Sequence, residues 1–199
     1  MIINDDFEPT RGRDKRLPPG QYETRDFPVL SLGPTPEVST DEWKLEISGL
    51  VDHPLTFSWE EFLTLPIEEV KKDIHCVTKW SKFDTQWEGV SLDELMRRAG
   101  VSERATHLIA HSHDGYSTNL PIEDVTGGKA WVAVRYEGEE IAAEHGGPAR
   151  LLVPHLYFWK SAKWLKKLEF VDHDIPGFWE VRGYHNYGDP WQEQRYTFD

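Results

Sequence analysis

Residues 73–80 read DIHCVTKW, and Cys76 at their centre is the only cysteine among 199 residues, so what that side chain does is the first question the sequence raises. Three fates are open to it: a small apolar filler in a core, a nucleophile, or a metal ligand. It cannot close an intramolecular disulfide, and the cysteine-rich spacing of a structural zinc site is absent. Lys71, Lys72, His75 and Lys79 surround it in sequence, and nearby positive charge favours the thiolate that a nucleophile or a metal ligand must present. Nine histidines are available as bases, yet no cysteine–histidine–asparagine signature marks a hydrolase.

Two capping-box spacings flank this stretch, Ser58 to Glu61 and Ser91 to Glu94, and each predicts a short helix, the second closed by Gly100. Alternating apolar residues predict strands over residues 43–50 (WKLEISGL), 106–112 (THLIAHS), 130–136 (AWVAVRY) and 149–154 (ARLLVP). Turns are expected at Asp114-Gly115, Gly127-Gly128 and Glu137-Gly138. Strands and short helices interleave without regular βαβ spacing, so the class is α+β, with mixed strands, short helices and many irregular connections. Residues 1–40, punctuated by proline and glycine, read as an extended N-terminal arm packing on a single domain of residues 41–199. The aromatic, turn-rich residues 177–196 should wrap over its body.

Charge bounds the partners. A net charge of −13 repels a polyanion, which excludes nucleic acid as the main partner, although the arm begins with a basic group at Arg11, Arg13, Lys15 and Arg16. The longest apolar run, LLVPHLYFW at residues 151–159, is broken by Pro154 and His155 and is too short to span a bilayer, so no membrane is expected. No apolar stretch at the start resembles a signal peptide, and the expected localisation is cytoplasmic. Nine tryptophans favour an aromatic-walled pocket or an aromatic-rich core.

Within this acidic chain, residues 145–168 contain no Asp or Glu but carry Arg150, Lys160, Lys163, Lys166 and Lys167. Such donors beside a glycine-containing backbone suit a phosphate or another compact oxyanion, and a solvated basic face is the competing reading. Arg150 directly precedes the apolar run LLV, which anchors it at a strand start, and Ser161 adds a hydroxyl donor. On these residues alone the chain could be a non-catalytic domain that binds a small anion or nucleotide, with Cys76 merely buried. His111 and His113 share one side of a strand, but without a third ligand they read as a polar strand end.

Three segments in order resemble the molybdopterin-binding domain of the sulfite oxidase family: residues 73–96 (DIHCVTKWSKFDTQWEGVSLDELM), 145–165 (HGGPARLLVPHLYFWKSAKWL) and 177–189 (GFWEVRGYHNYGD). The resemblance runs from about Phe27 to near the C-terminus. It is closest to short bacterial and archaeal sulfite-oxidase-like oxidoreductases, relatives of the catalytic subunit of periplasmic methionine-sulfoxide reductase. It implies a sulfite-oxidase-type molybdopterin-binding fold and an oxidoreductase whose cofactors are molybdenum and molybdopterin. The implied reaction transfers an oxygen atom or electrons to or from a small oxyanion, S-oxide or N-oxide.

The resemblance also implies residue roles. Cys76 would be the metal ligand, its soft thiolate joined by the sulfurs of the pterin. His145 and Arg150 of HG-x-P-x-R, with Ser161 and Lys163 of S-x-K, would hold the pterin and its phosphate. Ser112 would lie near the cofactor, and the arm around Phe27, Pro28 and Val29 would cover it. Lys79, His75 and an aromatic wall including Trp80 are candidates for a catalytic pocket beside the metal. The arginine-rich sulfite-binding pattern around the cysteine is replaced by CVTKW, so sulfite itself is not implied. Neither the family's immunoglobulin-like dimerisation domain nor a haem domain is present in this sequence, which implies a monomer served by a separate electron-transfer partner.

Overall fold

The computed structural model describes residues 16–31 and 33–199; Arg11, Arg13 and Lys15 of the basic arm lie outside the described residues. One sheet orders β3 (Leu55–Ser58), β2 (Lys44–Gly49), β11 (Leu165–Val171), β6 (His107–Ser112) and β7 (Ser117–Pro121). The other runs β1 (Tyr22–Glu23), β5 (Trp80–Ser91), β8 (Trp131–Tyr136) and β10 (Arg150–Leu152), with β4 (Glu68–His75) on β5 and β9 (Glu139–Glu140) on β8. Among the strands of the described residues, β2 with β11 and β1 with β5 pair parallel, and the other pairs are antiparallel. The architecture is α+β, two mixed sheets with short helices and irregular connections.

The strands expected from alternation at residues 43–50, 106–112 and 130–136 form as β2, β6 and β8, and residues 149–154 contribute the shorter β10. Alternation sorts β8 between two cores. Val132 and Val134 join Leu45, Leu108 and Leu168 of the opposite sheet in the main core, while Trp131 and Ala133 face a second cluster with Ile74, Cys76 and Trp87. Cys76 is therefore held on the face of its sheet that turns away from the main core.

Two helices pack on that main core through Phe62 and through Leu92 and Leu95. In α1 (Trp59–Leu63) the predicted capping box forms: Ser58 Oγ accepts from the Glu61 amide at 3.3 Å, and Glu61 Oε2 accepts from the Ser58 amide at 2.8 Å. In α2 (Leu92–Ala99) the Ser91 side chain caps nothing. Glu94 instead accepts from Arg97 Nε at 2.9 Å and Arg98 Nε at 2.6 Å, because guanidinium donors one turn on bind a carboxylate more strongly than a neutral amide does. Gly100 closes the helix as expected, at φ 64°.

Strands β4, β5 and β11 carry weaker sequence signals. Ser81 and Thr85 are fully buried at positions of β5 where alternation calls for apolar side chains. A bulge between Leu165 and Lys167 breaks the period of β11. Residues 177–199 do wrap the body: the Phe178 amide donates to Ser117 O and the Tyr157 amide to Gly188 O. Among the described residues no helix is long and apolar enough to cross a membrane.

Candidate functional site

Strands β4 and β5 form a hairpin whose turn, residues 76–79, presents the cysteine. The Lys79 amide donates to Cys76 O at 3.0 Å and the Cys76 amide to Trp80 O at 2.8 Å. Lys79 takes φ 78°, a left-handed conformation that glycine would adopt without cost. Thr78 Oγ1 donates to Cys76 Sγ at 3.2 Å. Burial pushes the thiol above its ordinary pKa, opposed by that hydroxyl, by the Val77 and Thr78 amides and by the charge of Lys163. This is the wrong direction for an activated nucleophile.

Arg150, at the start of β10, is 1% exposed. Its guanidinium donates to His145 O at 2.6 Å and Ser161 O at 2.8 Å and lies 4.2 Å over the Phe158 ring. Lys163 Nζ donates to Glu144 O at 2.6 Å and Leu30 O at 2.9 Å. Among the described residues neither cation forms an ion pair with a carboxylate. Burial, then the charge of Arg150, pulls the Lys163 amine down to about 8. Gly146 makes this approach sterically feasible: at φ 105° a Cβ there would come within 2.8 Å of Lys163 Cβ.

Cys76, Arg150 and Lys163 line one cavity of about 350 Å³, together with Ser161, Ser112 and His145. Phe27, Pro28 and Trp80 also reach it. Three buried polar atoms of its lining residues, Trp80 Nε1, Ser112 Oγ and His145 Nδ1, have no partner among the described residues. An unsatisfied buried polar group costs about 1–3 kcal/mol, so three around one cavity beside two unpaired cations call for a polar, anionic ligand. That donor set fits a pterin bearing a phosphate. Among the described residues no three His, Cys, Asp or Glu side chains gather to hold a metal ion, so a metal at Cys76 would draw its other ligands from outside the polypeptide.

Three of the expected site residues are not brought to this cavity. Val29 is exposed on the arm. Lys79 lies in the turn but does not line the cavity. His75 is buried behind the turn, its Nδ1 2.8 Å from Ser81 Oγ, and burial pushes its pKa down to about 4. The basic segment also divides. Lys160, fully buried, pairs with Glu180 Oε1 at 2.6 Å, and Lys167 pairs with Glu46 and Glu169 on the surface of the first sheet. His111 meets Glu169 at 2.9 Å, as a polar strand end does.

Other cavity residues escaped the sequence reading: Asp114, Tyr116, Trp159, Trp164, Trp179 and Tyr184. They lie in turns, coil, one isolated bridge (Tyr184) and a single 3-10 turn (Trp159), where no periodicity marks them, although nine tryptophans favour an aromatic-walled pocket or an aromatic-rich core. Trp179 and Tyr184 stack with centroids 4.6 Å apart, and Trp159 meets Tyr184 edge-on at 5.0 Å.

Comparison with known proteins places these features in a family context. The oxidoreductase molybdopterin binding domain family matches residues 32–179. The uncharacterized oxidoreductase YuiH of Bacillus subtilis is 46% identical over 196 residues, covering 97% of this chain and 99% of that protein. The protein-methionine-sulfoxide reductase catalytic subunit MsrP of Campylobacter jejuni is 30% identical over 167 residues, covering 75% of this chain but 56% of that protein. Among solved structures, the sulfane dehydrogenase SoxCD from Paracoccus pantotrophus matches with a TM-score of 0.65 at 26% identity, over 71% of this chain and 41% of that one. The chain thus spans nearly all of YuiH and about half of each of the other two.

Proposed function

This chain belongs to the oxidoreductase molybdopterin binding domain family, of the sulfite-oxidase type, and from that premise we propose that it is a mononuclear molybdenum-pterin oxidoreductase. The observation that carries this reading is one cavity shared by the sole cysteine and a buried guanidinium with no carboxylate partner among the described residues. When bound, the molybdenum–pterin group supplies the redox chemistry, exchanging an oxygen atom or electrons with a small oxyanion, S-oxide or N-oxide.

The chain's own residues bind and orient. Arg150 and Lys163 hold an anionic phosphate by charge-assisted bonds. Ser161 Oγ already accepts from the Val153 amide at 2.8 Å, so its proton is free to donate. Ser112 Oγ and His145 Nδ1 offer hydrogen bonds that no other described residue uses. Thr78 Oγ1 orients the Cys76 sulfur, and Phe27, Trp80 and Phe158 keep water from it. In this reading the substrate is a small molecule, electrons pass to or from a separate partner, and the protein works as a cytoplasmic monomer.

A second reading is a non-catalytic domain that binds a small anion or nucleotide. It is favoured by the buried, raised thiol and by the lack, among the described residues, of a protein cluster that could hold a metal. Elemental and pterin analysis of protein from a cofactor-producing host separates the two. Stoichiometric molybdenum, lost in Cys76→Ser while the fold and bound pterin persist, supports the first. Phosphate binding without molybdenum or pterin supports the second.

A further inference from the structure

We propose that Gln21 is a positioning residue for Cys76: its side-chain amide, brought in by the N-terminal arm, clamps the turn that presents the sulfur. Gln21 Nε2 donates to Cys76 O at 3.0 Å and to Trp80 O at 3.2 Å, the carbonyls at the two ends of the turn. A longer contact of 3.4 Å reaches Ser81 Oγ, the group that also meets His75 Nδ1. Each carbonyl already accepts one backbone bond across the turn, from the Lys79 amide and the Cys76 amide respectively. The Gln21 amide fills a second acceptor site on each, tying the turn to a third segment of chain.

The clamp is itself held. Gln21 Oε1 accepts from Arg195 Nη2 at 3.3 Å, so the amide nitrogen, and not its oxygen, faces the two carbonyls. Arg195 is buried in the C-terminal wrap; its Nη2 also reaches Pro19 O at 3.3 Å and its Nη1 bonds Glu193 Oε1 at 2.9 Å. Directly after Gln21 the arm runs along the turn and β5: the Tyr22 amide donates to Lys79 O and the Thr24 amide to Ser81 O, both at 2.8 Å. Two segments 174 residues apart in sequence thus converge on the back of the cysteine turn. The turn needs such support because Lys79 holds a left-handed conformation that the local sequence does not favour.

The clamp stands on these contacts alone; its consequence for metal binding rests on the proposed role of Cys76. Gln21→Glu tests both, because it keeps an oxygen for Arg195 while replacing the donor with an acceptor that faces two carbonyls. Gln21→Met is the second variant, removing both functions. In the full-length, cofactor-free protein, amide exchange in the peptide spanning residues 76–80 and iodoacetamide alkylation of Cys76 should each accelerate about tenfold or more, the factor expected from losing a hydrogen bond or two. Exchange in β6 and β11 should not change. Equal exchange and alkylation rates in wild type and both variants, or acceleration spread evenly over all strands, would overturn the clamp. In protein from a cofactor-producing host, the ratio of molybdenum to pterin should fall in Gln21→Glu. An unchanged ratio beside a loosened turn would overturn the positioning of Cys76 for a metal. A loosened turn in a chain whose wild type binds no molybdenum would leave the clamp standing and sink the proposed function instead.

Discussion

Phe27 of the N-terminal arm stacks on His145, with ring centroids 3.9 Å apart and planes 11° from parallel, so the arm and the residue 145–150 turn close on the cavity together. An aromatic contact of this kind contributes about 0.5–1.5 kcal/mol beyond area burial. Phe27→Ala should therefore lower the thermal midpoint by a few degrees, roughly 1–6 °C, and reduce pterin retention, whereas Phe27→Trp should preserve both. Differential scanning fluorimetry and pterin fluorescence measure the two effects. An alanine variant that retains full pterin would show that the arm does not cover the ligand.

Arg150 contributes charge where no carboxylate among the described residues neutralises it. Its removal should appear in anion binding more than in folding, since losing a charge-assisted bond costs on the order of 1.5–3 kcal/mol. Sulfate affinity of cofactor-free Arg150→Met, measured by calorimetry, should fall about 10- to 150-fold. Unchanged affinity would return the basic segment to the role of a solvated face.

Lys163 makes that binding depend on pH. Its amine is pulled down to about 8, so it is charged below that pH and neutral above it in the free protein, while sulfate carries the same charge throughout the range. Sulfate affinity should fall as pH rises from 7 to 9, with binding taking up protons near pH 8. Lys163→Met should bind more weakly at pH 7 and lose most of this slope. A slope of equal steepness in the variant would assign the titration elsewhere.

Lys160 and Glu180 form an ion pair with both side chains almost entirely buried, and Glu180 Oε1 also accepts from Thr118 Oγ1 and from Trp159 Nε1 of the cavity wall. Breaking such a pair from one side leaves an uncompensated buried charge and costs about 3–5 kcal/mol. Lys160→Met should lose stability on that scale in urea unfolding, and the double variant Lys160→Met/Glu180→Gln should recover much of it. No recovery would mean that Lys160 acts through packing and not through charge.

How much of this could be read from the sequence depended on the range of the interaction. Strands β2, β6 and β8 were legible because alternation is local and their buried positions hold large apolar side chains such as Leu45, Leu108 and Val132. Strand β5 was not, because Ser81 and Thr85 are buried by polar partners that alternation does not register: Gln21 and His75 at the first, Lys72 O and Trp87 Nε1 at the second. His75 adjoins Cys76 in sequence but not in the cavity, because neighbouring residues at a strand end face opposite ways. Ser91 and Glu94 have capping-box spacing, yet Arg97 and Arg98 claim the carboxylate.

By itself the sequence determined the chemical inventory: one soft sulfur, a run of cations free of acids, a glycine pair beside them and a surplus of aromatics. Only the tertiary structure decided which cation serves the cavity. Lys160 and Lys163 are three residues apart in the same basic run, and no local rule distinguishes them. The fold brings Glu180 to within 2.6 Å of Lys160, whereas among the described residues the hydrogen bonds of Lys163 go to carbonyl oxygens and not to a carboxylate. A charge is spent or left available according to its partner in space, since Coulomb attraction depends on distance between atoms and not on separation along the chain.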